Sequence, residues 1–294
     1  MINFRYHVVS IIGIFIALAV GVVLGAGPLQ RSINAGMNPS SSQAASDPVL
    51  SAQAEAEAAG LKALASSTLS GSLTGTSVAL VVLPGASDDD VSAIRSTLTD
   101  AGASVVGRVT LTDNWQSTSM SQYRTTLATT LASHLQSGAA KTASADGVVG
   151  YSIVQVLTST GAETDLLRQI LTDKSTPLMT IDEDPAGKAT TLVAVGARAQ
   201  STMSTQASVA ASSDAWIGLG LAVGSTSGVV VGDASSREAM ISQIRTSGTA
   251  VTTVDSVGTT LASVDTALAL STASSGARAF GVGNGAQSVI PSSK

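Results

Sequence analysis

The chain has 294 residues, of which 12% are charged, and a formal net charge of −5, which argues against a broad nucleic-acid or anionic-lipid binding surface. It contains no cysteine, so disulfides, thiolate metal sites and cysteine nucleophiles are excluded. Aromatic residues make up only 3%, and a core must therefore be built from Val, Leu, Ile and Ala.

An uncharged, largely apolar run begins at Val8 and ends at Ala26. Its 19 residues approach the roughly 20 that a helix needs to cross a hydrocarbon core about 30 Å thick. A cleaved signal peptide is the alternative, but its apolar region would be about 7–15 residues long and would end in a small-x-small cleavage site. Here Leu24 occupies the first small position before a cut after Ala26, and Pro28 would follow a cut one residue later. We therefore predict an uncleaved signal anchor over residues 1–27.

The charges that flank this run predict its orientation. Arg5, His7 and the terminal amine precede it, and Arg31 follows it. By the positive-inside rule the N-terminal tail stays in the cytoplasm and the rest of the chain is exported. We therefore predict a single-pass cell-membrane protein with an extracytoplasmic body.

Small residues recur at every fourth position inside the predicted span, at Gly13, Ala17, Gly21 and Gly25. This spacing places them along one helix face, where two backbones can approach closely, as membrane helices do when they associate. The alternative is that Gly and Ala are simply frequent in membrane helices. If this packing seam is used, its partner is a second copy, which gives a homodimer, or another membrane or envelope protein.

A linker and a helix follow the span. Residues 28–47 include Pro39 and the serine run after it, which predicts a flexible linker. Pro48 suits the first position of a helix, and the Ala- and Glu-rich segment after it predicts a helical stalk over 48–75. An apolar stripe interrupted by Glu57 fits either a short coiled coil or a plain amphipathic helix packing on its own domain. The stripe consists of Leu50, Ala54, Leu61 and Leu64.

Residues 76–294 alternate between strand and helix patterns. An unbroken apolar run over 78–83, stopped by Pro84 and Gly85, predicts a buried strand of a parallel sheet. The helix and the strand that follow complete a β-α-β unit. We therefore predict an α/β body with a Rossmann-like, mostly parallel sheet. Further strands are predicted over 104–111, 190–195, 228–231 and 250–254, and further helices over 120–171, 209–223, 237–246 and 262–270.

The sequence offers no convincing catalytic motif. A glycine-rich stretch from Gly281 lacks the third glycine spacing of a dinucleotide-binding loop, and too few residues follow it, so it predicts a turn. A glycine-flanked stretch centred on Thr226 has Thr in place of Ser and precedes a strand, unlike a nucleophile elbow. Only His7 and His134 could serve as a base. We predict a protein that is not an enzyme, with no catalytic and no cofactor-binding residues.

Candidate metal ligands are equally sparse. The acidic triplet 88–90 opens a helix, where the dipole favours carboxylates without any metal, and the triplet 182–184 precedes Pro185 and predicts a solvated loop. Neither has the ligand spacing of a calcium loop. A copper(I) site needs clustered Cys, Met or His, so we predict no metal-ligating residues and at most weak or indirect copper binding. Apart from Met1, the methionines are dispersed along the chain, at Met37, Met120, Met179, Met203 and Met240.

Both ends of the chain carry recognisable segments: 1–12, 17–21 and 24–25 at the start, and 253–255, 281–283 and 290–291 at the end. In these segments the chain resembles the actinobacterial MctB-like copper transporter family. The resemblance implies an envelope protein with one membrane helix, a helical stalk that can dimerise and an α/β body outside the cytoplasm. It implies a role in copper efflux, sometimes as an outer-membrane channel protein. A close SteB-like branch implies instead a membrane complex that supports cell-wall hydrolysis and cell separation.

The residues and the resemblance together predict a single-pass, non-enzymatic envelope protein with a role in copper efflux or homeostasis. One helix cannot form a pore in a monomer, so this role would be exercised through partner binding or oligomerisation. The alternative is a scaffold or activator in a complex that controls cell-wall hydrolysis. The predicted contacts are membrane lipid, a second copy and an envelope or membrane protein partner, but not nucleic acid.

Overall fold

The computed structural model describes residues 48–199, 210–273 and 276–291. The whole sheet lies in one compact unit that extends from Ala56 onward. The helices are α1 (Pro48–Leu69), α2 (Asp88–Asp100), α3 (Asp113–Gln116), α4 (Ser121–His134), α5 (Gly138–Lys141), α6 (Ala145–Thr158), α7 (Ala162–Leu171), α8 (Ser213–Gly224), α9 (Met240–Thr246) and α10 (Thr260–Ser271), with a 3-10 turn at Thr118–Met120. The strands are β1 (Ser77–Val82), β2 (Ser104–Leu111), β3 (Met179–Glu183), β4 (Thr191–Val195), β5 (Val229–Val231), β6 (Thr252–Val254) and β7 (Ala279–Phe280).

The seven strands form one sheet in the order β3-β2-β1-β4-β5-β6-β7. All neighbouring strands are parallel except β2 and β3. Because the chain first builds outward from β1 to β2 and then returns to place β4 on the other side of β1, the sheet has the doubly wound order, with its switch point between β1 and β4. The predicted Rossmann-like, mostly parallel α/β body is confirmed.

Strand β1 explains why the sequence reads as an unbroken apolar run. Val78, Leu80 and Val82 pack into one core with α1, α2 and α10. Ala79 and Val81 point to the opposite face and pack into a second core with helices α3 to α9. All five side chains are buried, because helices cover both faces of the sheet, and alternation with polar residues is therefore lost.

Helices α6 and α8 pack with their backbones in close contact. A Cβ atom added at Gly150 of α6 would lie 2.6 Å from the carbonyl oxygen of Gly218 in α8. Since real Cβ atoms do not approach a backbone oxygen so closely, this crossing requires glycine at these positions. The contact fixes the helix layer on the second face of the sheet.

Two strands escape sequence-based prediction. The triplet 182–184 is not a solvated loop, since Asp182 and Glu183 lie in β3, an antiparallel strand at the sheet edge. Only Met179 of this strand is buried, so its burial pattern is irregular and carries no strong apolar signal. Strand β7 has just two residues, too short for a periodic pattern. Helices α8 and α9 begin at Ser213 and Met240, later than the predicted 209 and 237.

Within the part of the chain that the structure describes, no helix is both long enough and apolar enough to cross a membrane. The predicted span and the linker 28–47 lie outside the described residues, as do all four residues of the predicted packing seam. Helix α1 begins at Pro48, as its sequence predicts, and ends at Leu69. The domain bounds 1–27, 28–47, 48–75 and 76–294 stay predictions. The seam residues are Gly13, Ala17, Gly21 and Gly25.

Candidate functional site at the carboxyl edge of the sheet

The glycine-rich turn after β7 closes on a carboxylate of its own chain. Asp255 follows β6, and its Oδ1 and Oδ2 accept hydrogen bonds from the amides of Val282 at 2.8 Å and Gly283 at 2.9 Å. Gly281 has a φ of 121°, and a Cβ atom there would collide with the Asp255 carboxylate. Only glycine fits this position. The predicted turn is confirmed, and its amides hold a side chain where a dinucleotide-binding loop would hold a phosphate.

Arg245 of α9 neutralises Asp255. Its Nη1 donates to Asp255 Oδ2 at 2.9 Å and to the Asn284 carbonyl oxygen at 2.8 Å. Its Nη2 donates to the Phe280 carbonyl oxygen at 2.8 Å, and its Nε to Thr253 Oγ1 at 2.9 Å. The side chains of Arg245 and Asp255 are 7% and 2% exposed. This buried pair joins α9, the ends of β6 and β7 and the C-terminal turn.

The environment shifts the pKa of both partners. Burial lowers the pKa of Arg245, against the attraction of Asp255. Burial alone would raise the pKa of Asp255, but its hydrogen bonds from Ser256, from the Val282 and Gly283 amides and from Arg245 bring it below its ordinary value. Asp255 is therefore a stably ionised carboxylate, fixed by the groups around it.

Asp265 of α10 is a second buried acid, but unlike Asp255 it has a raised pKa. Its side chain is fully buried, and neither carboxylate oxygen has a hydrogen-bond partner among the residues described. Burial, together with the charge of Asp255, raises the pKa of Asp265 to about 7. This carboxyl group consequently titrates near neutral pH in the folded protein.

The crevice at the switch point, where doubly wound sheets bind ligands, is filled by the chain itself. A Cβ atom at Gly85, just after β1, would lie 3.3 Å from Cβ of Ala197, just after β4. The Met240 side chain packs over Gly196 and Gly232, the residues that follow β4 and β5. No side chain larger than hydrogen could replace either glycine without displacing Met240.

Helix α2 begins beside this crevice with three aspartates in its first turn. A dinucleotide-binding fold places the pyrophosphate at this helix terminus, where these carboxylates would repel it. Asp90, 4% exposed, is held by Arg198 from the loop after β4. Arg198 donates from Nε at 2.7 Å and from Nη2 at 2.6 Å, and the hydrogen bond with Asp90 raises the pKa of Arg198. The pair ties α2 to the loop after β4.

The carboxylates of the second triplet are also ion-paired. The hydrogen bond from Arg95 lowers the pKa of Glu183, and the hydrogen bond from Arg168 lowers the pKa of Asp184. Arginine partners on α2, β2 and α7 thus neutralise all three carboxylates of the second triplet, and Arg108 on β2 also pairs with Asp88 of the first. The ion pairs are Arg95 with Glu183, Arg168 with Asp184, and Arg108 with both Asp182 and Asp88.

The structure keeps the candidate soft ligands in different settings. His134 Nδ1 lies 2.5 Å from Glu163 Oε2, so an acidic side chain engages the imidazole. Met179 and Met240 are buried in the apolar core, and Met120 belongs to the 3-10 turn. Within the described ranges, no three His, Cys, Asp or Glu residues are placed to hold a metal ion. Met37 and Met203 lie outside those ranges.

Helix α1 touches the body with only part of its surface. Ala65 and Leu69 are buried, and the partly buried Leu61 packs on the same core. Leu50 and Leu64 are 49% and 69% exposed. The predicted apolar stripe is therefore divided: Leu61 packs on its own domain, while two leucines are left on the outer surface of the helix.

A cavity of about 280 Å³ lies between α1, α2 and α10. Apolar side chains from all three helices line it, among them Leu69, Ile94 and Val264. Lys62 and Arg198 contribute positive charge, and three aspartates of α2 contribute negative charge. The cavity suits the insertion of an apolar side chain with polar flanks better than the binding of a uniformly charged ligand. The aspartates are Asp89, Asp90 and Asp100.

Sequence reasoning did not single out the buried charged residues Arg124, Arg245 and Asp265, nor the exposed Arg198 that pairs with the buried Asp90. Arg124 is fully buried, and its Nε donates to Asp146 Oδ1 at 2.5 Å. A signal was available for Asp265, since it interrupts an otherwise uncharged helix. No pattern in the sequence around Arg198 or Arg245 predicts that these residues pair with Asp90 and Asp255.

The chain matches a known protein family over almost its whole length. The family model described as copper transport outer membrane protein, MctB, matches residues 1–291. No curated protein matches the chain. The predicted resemblance is confirmed over almost the full length, and the structure joins two of its segments, because Asp255 binds the amides of Val282 and Gly283. The chain belongs to the MctB family, a family of copper transport-related envelope proteins.

Proposed function

We propose that the protein serves copper efflux or homeostasis as a membrane-anchored, non-enzymatic subunit that binds partners. The observation that carries the proposal is the family match over residues 1–291. It extends through the apolar run near the N-terminus and through the α/β body, so the proposal concerns the chain as a whole. The apolar run 8–26 supplies the single-pass anchor and its lipid contact.

The filled carboxyl edge of the sheet supports a binding role over a nucleotide-dependent one. Asp255 occupies the amides of the glycine-rich turn. Ala197 and Met240 occupy the spaces beside the glycines that follow the strands. The α2 terminus carries carboxylates where a nucleotide would place its phosphates. In each case a side chain of the protein itself occupies the position that a cofactor would occupy in a cofactor-dependent enzyme.

Helix α1 supports self-association. Its two exposed leucines, Leu50 and Leu64, lie on a helix that directly follows the predicted linker. Exposed leucines at coiled-coil spacing are buried when two helices pair. The seam that includes Gly13 and Gly21 would bring two copies together within the membrane, so both contacts favour a parallel homodimer. One helix cannot line a pore by itself. A dimer or a complex with an envelope partner would supply further helices.

A deletion strain tests the proposal. Removing the gene should raise cell-associated copper and slow growth on copper-supplemented medium, and the wild-type chain should restore both. A chain with Leu50→Glu and Leu64→Glu should restore them poorly, whereas Leu166→Glu, which changes an exposed leucine of α7, should restore them fully. Normal copper content with cells that fail to separate would overturn the proposal in favour of the cell-wall scaffold.

A further inference from the structure

A recess of about 580 Å³ opens between α9 and the glycine-rich turn after β7. It lies next to the buried pair of Arg245 and Asp255, on the side of α9, and is separate from the cavity beneath α1. Its lining residues are polar or charged apart from one glycine, although their apolar stems form the larger part of its wall. The lining residues are Arg237, Ser242, Gln243, Arg245, Thr246, Asn284 and Gly285.

The lining carries positive charge without a balancing acid. Among the described residues that line the recess there is no carboxylate. Arg245 is already neutralised by Asp255, but Arg237 is exposed, and its guanidinium makes no hydrogen bond or ion pair with the part of the chain described. One full positive charge is therefore available to a ligand.

A buried hydroxyl at the same recess lacks a partner. Ser242 is 3% exposed, and its Oγ makes no hydrogen bond with the described residues. An unsatisfied buried polar group costs about 1–3 kcal/mol, so such groups usually have a ligand or a water. Gln243 Nε2 donates to the Arg237 carbonyl oxygen at 2.6 Å and fixes the backbone that carries the free arginine.

Asn284 contributes a third group. Its backbone is held on both sides, because its amide donates to the Ala234 carbonyl oxygen at 3.0 Å and its carbonyl oxygen accepts from Arg245. Its side-chain amide makes no hydrogen bond with described residues, so it is free to donate into the recess. A guanidinium, a hydroxyl and an amide on rigid backbone are the donor types that bind an oxyanion.

We propose that this recess binds a small molecule through an oxyanion, a phosphate or carboxylate group, with Arg237 as the charged contact and Ser242 and Asn284 as hydrogen-bond donors. This binding goes beyond the proposed role in copper transport. The site gives the extracytoplasmic body a small-molecule ligand in addition to any protein partner.

Calorimetric titration of the full-length protein in detergent tests the proposal, with inorganic phosphate and glucuronate as separate probes. At least one probe should bind saturably at millimolar concentrations, and the probe that binds identifies the oxyanion. Arg237→Gln should weaken that binding about tenfold or more, since a charge-assisted hydrogen bond is lost. Ser242→Ala should weaken it to a smaller extent.

Arg278→Gln is the matched control, because it removes the same charge from a residue outside the recess lining. It should leave the affinity unchanged. The proposal is overturned if neither probe binds saturably. It is also overturned if Arg278→Gln weakens binding as much as Arg237→Gln, because the anion would then respond only to net charge.

Discussion

Arg245 and Asp255 form a buried ion pair at 2.9 Å at the carboxyl edge of the sheet, and the same carboxylate accepts two amide hydrogen bonds from the C-terminal turn. The pair connects segments that the family resemblance singles out separately. These two segments meet because the turn can close on Asp255 only with glycine at 281 and 283, where a Cβ atom would crowd the carboxylate.

Removing one partner of this pair should destabilise the fold strongly. Asp255→Asn leaves the Arg245 guanidinium buried without a counter-charge, and we expect a loss of about 3–5 kcal/mol in the free energy of unfolding. Urea denaturation followed by circular dichroism measures it. Asp173→Asn, which changes an exposed acid, should cost less than about 1 kcal/mol. A small loss for Asp255→Asn would mean that the turn is held by other contacts.

Asp265 should make stability depend on pH near neutrality. Its pKa is 3.8 when unperturbed and about 7 when folded, so the folded state holds the proton more tightly. Stability from this group is fully present below pH 3.8 and is lost as the pH rises through 7. Between pH 5 and 8 the free energy of unfolding should fall by about 2–3 kcal/mol.

Urea denaturation at pH 5, 6, 7 and 8 checks the Asp265 prediction against Asp265→Asn. The variant cannot ionise at this position, so its stability should change little over the range. The groups with a lowered pKa, Asp255, Glu183 and Asp184, act only at more acidic pH and do not interfere. A wild-type curve parallel to that of Asp265→Asn would refute a shifted titration.

The glycine contact between α6 and α8 predicts a steric effect. Gly150→Ala places a methyl group 2.6 Å from the Gly218 carbonyl oxygen, so the helices must separate. We expect a loss of about 1–3 kcal/mol, the range for overpacking a core. Gly138→Ala is the control, because a Cβ there meets nothing within 4 Å. Thermal denaturation compares the two, and equal midpoints would contradict the close packing.

The predicted membrane seam makes its own prediction. Gly21→Ile enlarges a residue where two backbones would touch, so self-association in a membrane two-hybrid assay should weaken. Val23→Ile, in the same apolar run but off the seam, should leave association intact. If Gly21→Ile has no effect, the seam faces lipid or a different protein.

The central strands could be predicted because parallel strands buried on both faces are apolar at every position, as β1 shows from Val78 to Val82. Strand β3 could not, because its hydrogen bonds to β2 and its arginine partners come from distant parts of the chain. The ion pairs of the candidate site could not be predicted for the same reason, because their partners are far apart in the sequence. Arg198 is 108 residues from Asp90, and no local pattern reports a contact over that separation.

The glycine-rich stretch after β7 could be predicted only in part. Glycine content alone predicts a turn, and the turn is present. The resemblance adds that segments 253–255 and 281–283 matter, but neither reveals that Asp255 is the residue the turn encloses. That relation depends on β6 and β7 being neighbours in the sheet.

We propose that the protein serves copper transport through partners and not through copper ligands of its own. Competition between the full-length protein and a Cu(I) chelator tests it most directly. We predict no stoichiometric site tighter than micromolar, about −8 kcal/mol, because His134 is paired with Glu163 and the buried methionines Met179 and Met240 lie in apolar core. A tighter stoichiometric site, abolished by His134→Ala or by Met→Leu changes, would contradict the claim and make this chain a direct copper carrier.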